Sequence, residues 1–405
     1  MRVGSIAEAE FAPLVRDIAG EDVDTAERFA RAAWTSIAEP GDGDAGVLVA
    51  SLGAVEALEV VLARADAGII VDRVAEAGVD SDPARWVEAL KRWAPRADLA
   101  ATLRALRQGG RYGMRLLVPG DEVWPEQLDD LQRHAPFALW ARGDVRHLQA
   151  LDRSIALVGA RAATGYGEHV TVETASGLVD RGFAIVSGAA YGVDGSAHRA
   201  ALASRGVTVA VLAGGLDRFY PSGHEQLLDR IVQRGIALAE VPPGTTPTKW
   251  RFLQRNRLIA ALACATVVVE AGWRSGSLNT ANHASTLGRP LGAVPGPVTS
   301  AASAGCHRLL REFDAVCVTT ADEMAELAGV APGAAPAALG TEERSATQIR
   351  VLDALNSRTP RKVDHIAELS GLGTDRVRAE LGLLELDGVV VERPSGWLRP
   401  TPKKA

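Results

Sequence analysis

Cysteine is scarce in this chain. Cys264, Cys306 and Cys317 are the only three in 405 residues, and no two are spaced Cys-x-x-Cys. Neither a disulfide framework nor a cysteine zinc site can organise the fold. No apolar run is long enough to span a bilayer, and the opening MRVGSIAEAEF has no signal-peptide hydrophobic region. A cytoplasmic protein without membrane contact is therefore expected. Net basic charge is also missing: the total is −6. That argues against a polyanion partner until the distribution is read. Residues 1–100 carry 10 Lys/Arg against 19 Asp/Glu (−9), residues 101–340 carry 23 against 21 (+2), and residues 341–405 carry 11 against 10 (+1). The acidity sits at one end, and local clusters rather than the sum decide what the remainder can bind.

What is present is a chain for two or three domains, with 47% hydrophobic and 23% charged residues, enough for a sizeable core. Residues 1–110 are alanine-rich with helical periodicity, as in Thr25–Trp34 and Ala54–Ala63, and read as a small all-helical module. Asp42 and Asp44 are spaced like the start of a calcium loop, but Gly53 stands where the bidentate glutamate belongs. A turn is expected there, and no metal. From residue 114 onward, short strands at Leu116–Val118 and Phe137–Trp140 flank a helix starting near Trp124. Apolar strands at 155–158, 183–187, 207–212, 236–240, 266–270, 291–294 and 315–319 then alternate with helical segments. This is the pattern of a parallel α/β sheet covered on both faces, with ligands bound beyond the C-terminal strand ends.

An uncharged Ala/Pro/Gly run over 329–341 opens a linker that extends to 344, and 345–400 reads as a winged helix: helices over Ser345–Leu355, Lys362–Ser370 and Thr374–Asp387, then a hairpin around Pro394. Its third helix offers Arg376 and Arg378 against Asp375, Glu380, Glu385 and Asp387. That balance suits docking onto protein better than contact with DNA.

The loops after the strands carry the chemistry. Ile155–Gly167, IALVGARAATGYG, runs from a buried strand through Gly159 and Arg161 into a helix whose first backbone N–H groups could receive an anion. Its glycines at 159, 165 and 167 do not form GxGxxG, so no dinucleotide cofactor is expected. In the next loop Gly188 and Gly192 allow a tight turn, and Asp194 and His198 share a helix face, a pair that suits bracing the turn better than catalysis. Asp217 and Tyr220-Pro221 read as loop structure. Residues 248–257, TKWRFLQRNR, place Lys249, Arg251, Arg255 and Arg257 among Trp250 and Phe252 with no acid. Cations for a phosphate backbone interleaved with faces for bases suit a single strand, and Asn256 adds a group for a base edge or phosphate. Ser275, Ser277 and Thr280 bring hydroxyls to a second glycine turn at a helix start, an anion cradle or a set of caps.

These segments, taken in order, resemble the DNA-processing protein A (Smf) family. The matching residues are Val158-Gly-Ala-Arg161, Ser187-Gly188 with Gly192-Val-Asp194 and Ala197-His198, Ala213-Gly-Gly-Leu-Asp217 with Tyr220-Pro221, Phe252 with Arg255-Asn-Arg-Leu-Ile259, Ser275-Gly-Ser-Leu278 with Thr280-Ala281, and Gly288-Arg-Pro with Val294-Pro-Gly296. The resemblance covers about residues 114–320 of the chain. It implies an extended Rossmann-like parallel core over 114–328, an N-terminal helical module of the SAM or helix-hairpin-helix kind, and a C-terminal winged helix. It further implies a non-enzymatic protein of natural transformation that binds and protects single-stranded DNA, forms a homodimer and helps load the recombinase RecA. By the same resemblance Arg161 and Lys249 would hold phosphates and Phe252 would stack on a base. Gly159, Ser187, Gly188, Arg255, Asn256, Ser275, Ser277 and Thr280 would complete the nucleic-acid site. The chain departs from the family pattern at Ala160 (usually Ser), Tyr191 (usually Arg) and Leu253 (usually Pro). Tyr191 removes a charge but leaves a stacking face.

The competing expectation is a nucleotide-processing enzyme of the Lonely Guy phosphoribohydrolase type, which shares this Rossmann variant. Its PGGxGTxxE loop needs a glutamate, and the corresponding turn here, RSGSLNTANHA, has His283 in that place.

Overall fold

The computed structural model describes residues 2–329, 346–357, 359–386 and 389–399. The chain divides into two compact units, 1–333 and 334–405. The division falls inside the expected linker.

The first unit opens with a two-residue antiparallel pair, Arg2–Val3 against Ile6–Ala7, followed by seven helices: α1 (Glu8–Ala19), α2 (Thr25–Ile37), α3 (Gly43–Leu52), α4 (Ala54–Leu62), α5 (Ala67–Glu76), α6 (Pro83–Trp93) and α7 (Leu99–Arg111). Aspartates start most of them. Asp24, Asp42, Asp66 and Asp82 each accept backbone N–H bonds from the first turn, which satisfies donors that the helix itself cannot. Asp42 is thus a helix cap, as its place in a turn suggested. No single described helix is long and apolar enough to cross a membrane.

The helical segment is not the separate module that its composition suggests. Its apolar cluster runs without a break into Phe137, Trp140, Leu228 and Ala239 of the sheet layer. The rings of Trp34 and Phe137 lie 5.7 Å apart, and the Trp140 indole donates to Thr35 at 3.3 Å. Arg28, nearly buried, reaches the Leu116 carbonyl at 3.1 Å and the Asp121 carboxylate at 3.0 Å. With large aromatic side chains shared across the boundary, the helices and the sheet form one body.

The sheet has nine strands: β1 (Arg115–Leu117), β2 (Leu139–Gly143), β3 (Ser154–Gly159), β4 (Ala184–Ser187), β5 (Thr208–Leu212), β6 (Ile236–Ala239), β7 (Ala265–Glu270), β8 (Leu291–Ala293) and β9 (Val316–Cys317). Their order is β9-β8-β7-β3-β4-β5-β6-β2-β1. All neighbours from β9 to β6 are parallel, and β2 and β1 add antiparallel at one edge. The β3–β6 residues are almost continuously buried, as a sheet covered on both faces requires. The covering helices are α8 (Gly165–Asp180), α9 (Val193–Ala203), α10 (Glu225–Arg234), α11 (Lys249–Leu262), α12 (Ser277–Thr286), α13 (Ala304–Glu312) and α14 (Ala321–Leu327). The helix expected from Trp124 is instead a pair of 3-10 turns within Glu126–His134, broken at Gln132, whose φ is +50°. Only Leu128 and Leu131 in it are buried, and that i, i+3 spacing fits a three-residue turn. The chain leaves β3 toward β6 and returns to β7 on the other side of β3. The β3/β7 junction is therefore the topological switch point, where loops after adjacent strands diverge and leave a crevice.

The second unit holds α15 (Ala346–Asp353), α16 (Val363–Ser370), α17 (Thr374–Leu386) and the antiparallel pair β10 (Val391–Arg393) and β11 (Gly396–Leu398). A bridge between Arg361 and Trp397 extends that pair. Val351, Ile366, Val377, Leu381 and Leu384 form its own core. This is the expected winged helix. Arg376 pairs with Glu380 at 2.8 Å and Arg378 with Asp375 at 3.6 Å, so both cations of the third helix are answered from that helix.

Candidate nucleic-acid interface

A cleft of about 1070 Å³ opens at the switch point. Its floor is the loop after β3. There the Ala160 N–H donates to the Glu270 carbonyl at 2.7 Å, and the Val193 N–H donates to the Ala160 carbonyl at 3.2 Å. The loop is thus clamped between β7 and α9. Any Cβ on Gly192, whose φ is +74°, would strike the Ala160 and Arg161 carbonyl oxygens. Gly159 lies equally close to Val193 and to the Glu270 backbone. Two glycines therefore let the loop turn flat against its neighbours and leave Arg161 exposed at the edge.

Glu270 corrects the expectation that α8 presents an open anion site. Its carboxylate is buried at the α8 N-terminus and accepts from the Thr164 N–H at 2.8 Å and the Thr164 hydroxyl at 2.7 Å. Gly167 packs directly on it. A fixed negative charge already complements the helix dipole there.

The run 248–257 forms the opposite wall, and its four cations have separate fates. Thr248 caps α11 by accepting the Arg251 N–H at 3.3 Å. Lys249, in the first turn, is exposed and has no hydrogen-bond or ion-pair partner among the described residues. Arg251 turns to the helical layer and holds Glu39 with contacts of 3.0 and 2.9 Å. The Glu39 carboxyl is held below its ordinary value: its burial, the largest influence, acts against this and is outweighed by Arg251 and Arg96. Arg257 is buried against Glu240 at 2.8 and 2.6 Å. Arg255 touches the cleft, but its guanidinium donates inward to the carbonyls of Gly188, at 2.7 Å, and Val211. Burial pushes its pKa down to about 10, against the pull of Asp194. The basic run is thus mostly internal bracing, and Arg255 is a wall residue rather than a free phosphate ligand.

Phe252 stands half-buried between these walls. The Arg161 guanidinium lies 5.0 Å and that of Arg255 5.8 Å from its ring centroid, and the Tyr220 ring lies 5.8 Å away. Asn256 bridges to the α12 turn, donating to the Asn279 side chain at 3.1 Å and the Gly276 carbonyl at 3.4 Å. Ser275, Ser277 and Thr280 line the far wall. The Ser275 and Ser277 hydroxyls are 2.8 Å apart, and the Ser275 hydroxyl also accepts the Ser277 N–H at 3.4 Å at the start of α12.

Ser187 and Gly188 do not line it. The Ser187 hydroxyl is buried under the sheet and donates to the Leu157 carbonyl at 2.7 Å. The Gly188 N–H donates to Asp194 at 3.1 Å, as does that of Ala190 at 3.4 Å, so Asp194 braces the turn. Burial raises the Asp194 pKa, with Arg255 opposing. His198 is buried against Thr208 at 2.7 Å. Asp217 is likewise a brace, accepting from the Gly244 N–H at 2.7 Å and the Gln108 amide at 2.8 Å. Trp273, Arg274 and Tyr220 also line the cleft and are exposed. Their only sequence signal was an aromatic or cation in a glycine-flanked loop after a strand.

The fold and the cleft define a Rossmann-like protein whose switch-point crevice is walled by cations and aromatic rings rather than by a phosphate-binding glycine loop. The chain belongs to the DNA recombination-mediator protein A family, which its residues 115–329 match. Residues 335–396 match the DprA winged helix domain. It is similar to the putative DNA processing protein DprA of Mycobacterium tuberculosis, 44% identical with 90% of this chain and 93% of that protein covered. It is 34% identical to protein Smf of Escherichia coli over 75% of this chain and 82% of that protein. The crystal structure of DNA processing protein A from Streptococcus pneumoniae superposes with a TM-score of 0.58, at 30% identity, covering 74% of this chain and 97% of that one. The family assignment makes the chain a DNA-processing protein whose Rossmann-like core is joined to a winged helix.

Proposed function

We propose that this chain binds single-stranded DNA in the switch-point cleft, protects it and delivers it to the recombinase RecA as a homodimer, without chemistry of its own. One observation carries the binding reading. Arg161, Lys249 and Arg274, exposed and without ion-pair partners among the described residues, surround the Phe252, Tyr220 and Trp273 rings in one cleft. Unpaired cations suit phosphates, and exposed ring faces suit unstacked bases of any sequence. A duplex, whose bases are already stacked, cannot use those rings. The same walls speak against the phosphoribohydrolase alternative. Asp194 is the one carboxylate among the described residues lining the cleft, and two backbone N–H groups occupy it. Titration of matched single- and double-stranded oligonucleotides at two salt concentrations tests the reading. Preference for the single strand, weakening as salt rises, is expected. Equal or tighter duplex binding would overturn it.

A further inference from the structure

We infer that a single strand held in the cleft continues over the arginine face of α7, which makes the helical layer part of the binding surface. The inference rests on the reading above and adds a second contact region to it. Between Leu99 and Gly120 the chain has four arginines and no acid, although residues 1–100 carry 10 basic against 19 acidic residues. Within α7, Leu99, Leu103, Leu106 and Gly109 face the core. Arg104, Arg107 and Arg111 fall at i, i+3 and i+7 on the opposite side, all exposed. Arg104 meets Asp98 at 3.0 Å, but both side chains are more than half exposed, so the pair holds its charge weakly. Arg107 and Arg111 have no ion pair or hydrogen bond among the described residues.

The loop 213–221 joins this face to the cleft. At its far end Tyr220 lines the cleft beside Phe252. At its centre Asp217 accepts from Gln108 of α7 at 2.8 Å and from the Gly244 N–H at 2.7 Å, so its charge is committed to structure. Arg142 lies between the loop and the end of α7, 4.9 Å from the Phe219 ring and 5.4 Å from the Tyr112 ring. Arg218 is exposed between these points. Tyr220, Arg218, Tyr112 and Arg111 thus give exposed rings and cations from the cleft to the end of α7, supported by the buried Phe219 and by Arg142, which also donates to the Leu216 carbonyl at 3.2 Å, a composition that tracks a single strand.

The test uses the full chain with oligothymidylates of about 6 and about 24 nucleotides, the shorter filling the cleft alone. For Arg107→Ala/Arg111→Ala, affinity for the shorter oligomer should stay within about twofold. Affinity for the longer should fall about tenfold, with the salt slope lower by about 1.4 for two lost phosphate contacts. Arg107→Lys/Arg111→Lys, which keeps the charge, should retain the longer oligomer. Unchanged binding of the longer oligomer by the alanine variant, an equal loss on both lengths, or a loss seen only with duplex would overturn the inference and leave the cleft reading intact. A wild-type chain that bound neither oligomer would overturn both.

Discussion

The Arg161 guanidinium rests 5.0 Å from the centre of the Phe252 ring. An exposed cation and the cleft's half-buried ring therefore hold one another before any ligand arrives. A base that stacks on Phe252 must share that ring with Arg161, which can turn to the neighbouring phosphate as it does so. The two residues should act as a unit. Phe252→Ala is expected to cost about 1–3 kcal/mol of single-strand affinity with little change in salt dependence. Arg161→Ala should lower the salt slope by about 0.7. The double variant should lose about 0.5–1 kcal/mol less than the sum, because the cation–ring contact is already gone in either single variant. Anisotropy titrations of all four proteins measure the coupling, and strict additivity would mean that the contact plays no part in binding.

Glu270 fills the α8 N-terminus, so its charge belongs to stability. Glu270→Gln keeps the volume but gives up a charged acceptor for the Thr164 N–H and hydroxyl. It should lower unfolding free energy by about 1–3 kcal/mol. The salt slope of DNA binding should not move, since Glu270 is buried and outside the cleft's cation set. Denaturant melts beside titrations separate the two readouts. A variant with native stability and altered salt slope would place Glu270 in the ligand site after all.

His198 sets a pH dependence. Burial, helped by the nearby His224 and Arg255 charges, pushes its pKa from 6.5 to about 3. Between those values the unfolded chain takes up a proton that the native chain refuses, so stability falls as pH falls through that window. One proton corresponds to as much as about 1.4 kcal/mol per pH unit. His198→Gln, which does not titrate, should show a flatter decline from pH 6.5 downward in denaturant melts. Equal slopes in the two proteins would assign the acid sensitivity to other groups.

The sheet was legible because buried parallel strands are apolar runs separated by helices, and Ile155–Val158 or Val207–Leu212 can be little else. The partners of the basic run were not legible. Arg251 answers Glu39, Arg257 answers Glu240, and Arg255 answers carbonyls at 188 and 211. Each partner is brought in by topology, not by local spacing. For the same reason Ser187, given to the nucleic-acid site by the resemblance, lies instead where β4 and β3 place it, donating to the Leu157 carbonyl. The helical segment looked separable because Trp34, Phe137 and Trp140 carry no mark in sequence of which side of a boundary they bury.

That division of the basic run can be tested at two positions in one helical turn. Lys249 is exposed and unpaired among the described residues, while Arg251 is tied to Glu39 and to the Thr246 carbonyl at 2.8 Å. Lys249→Ala should weaken single-strand binding regardless of sequence and lower the salt slope by about 0.7, with the melting temperature unchanged. Arg251→Ala should do the reverse. It leaves Glu39 to Arg96 alone, at 2.7 Å, and removes a tie between the helical layer and α11. A loss of about 1–3 kcal/mol of stability follows from a half-buried charge that loses one of its two partners. Its salt slope should stay at the wild-type value, because Arg251 neutralises Glu39 and not a phosphate. Equal slopes for the two variants would show that the helix presents its cations to DNA as one row, and that the Glu39 pair opens when a strand binds.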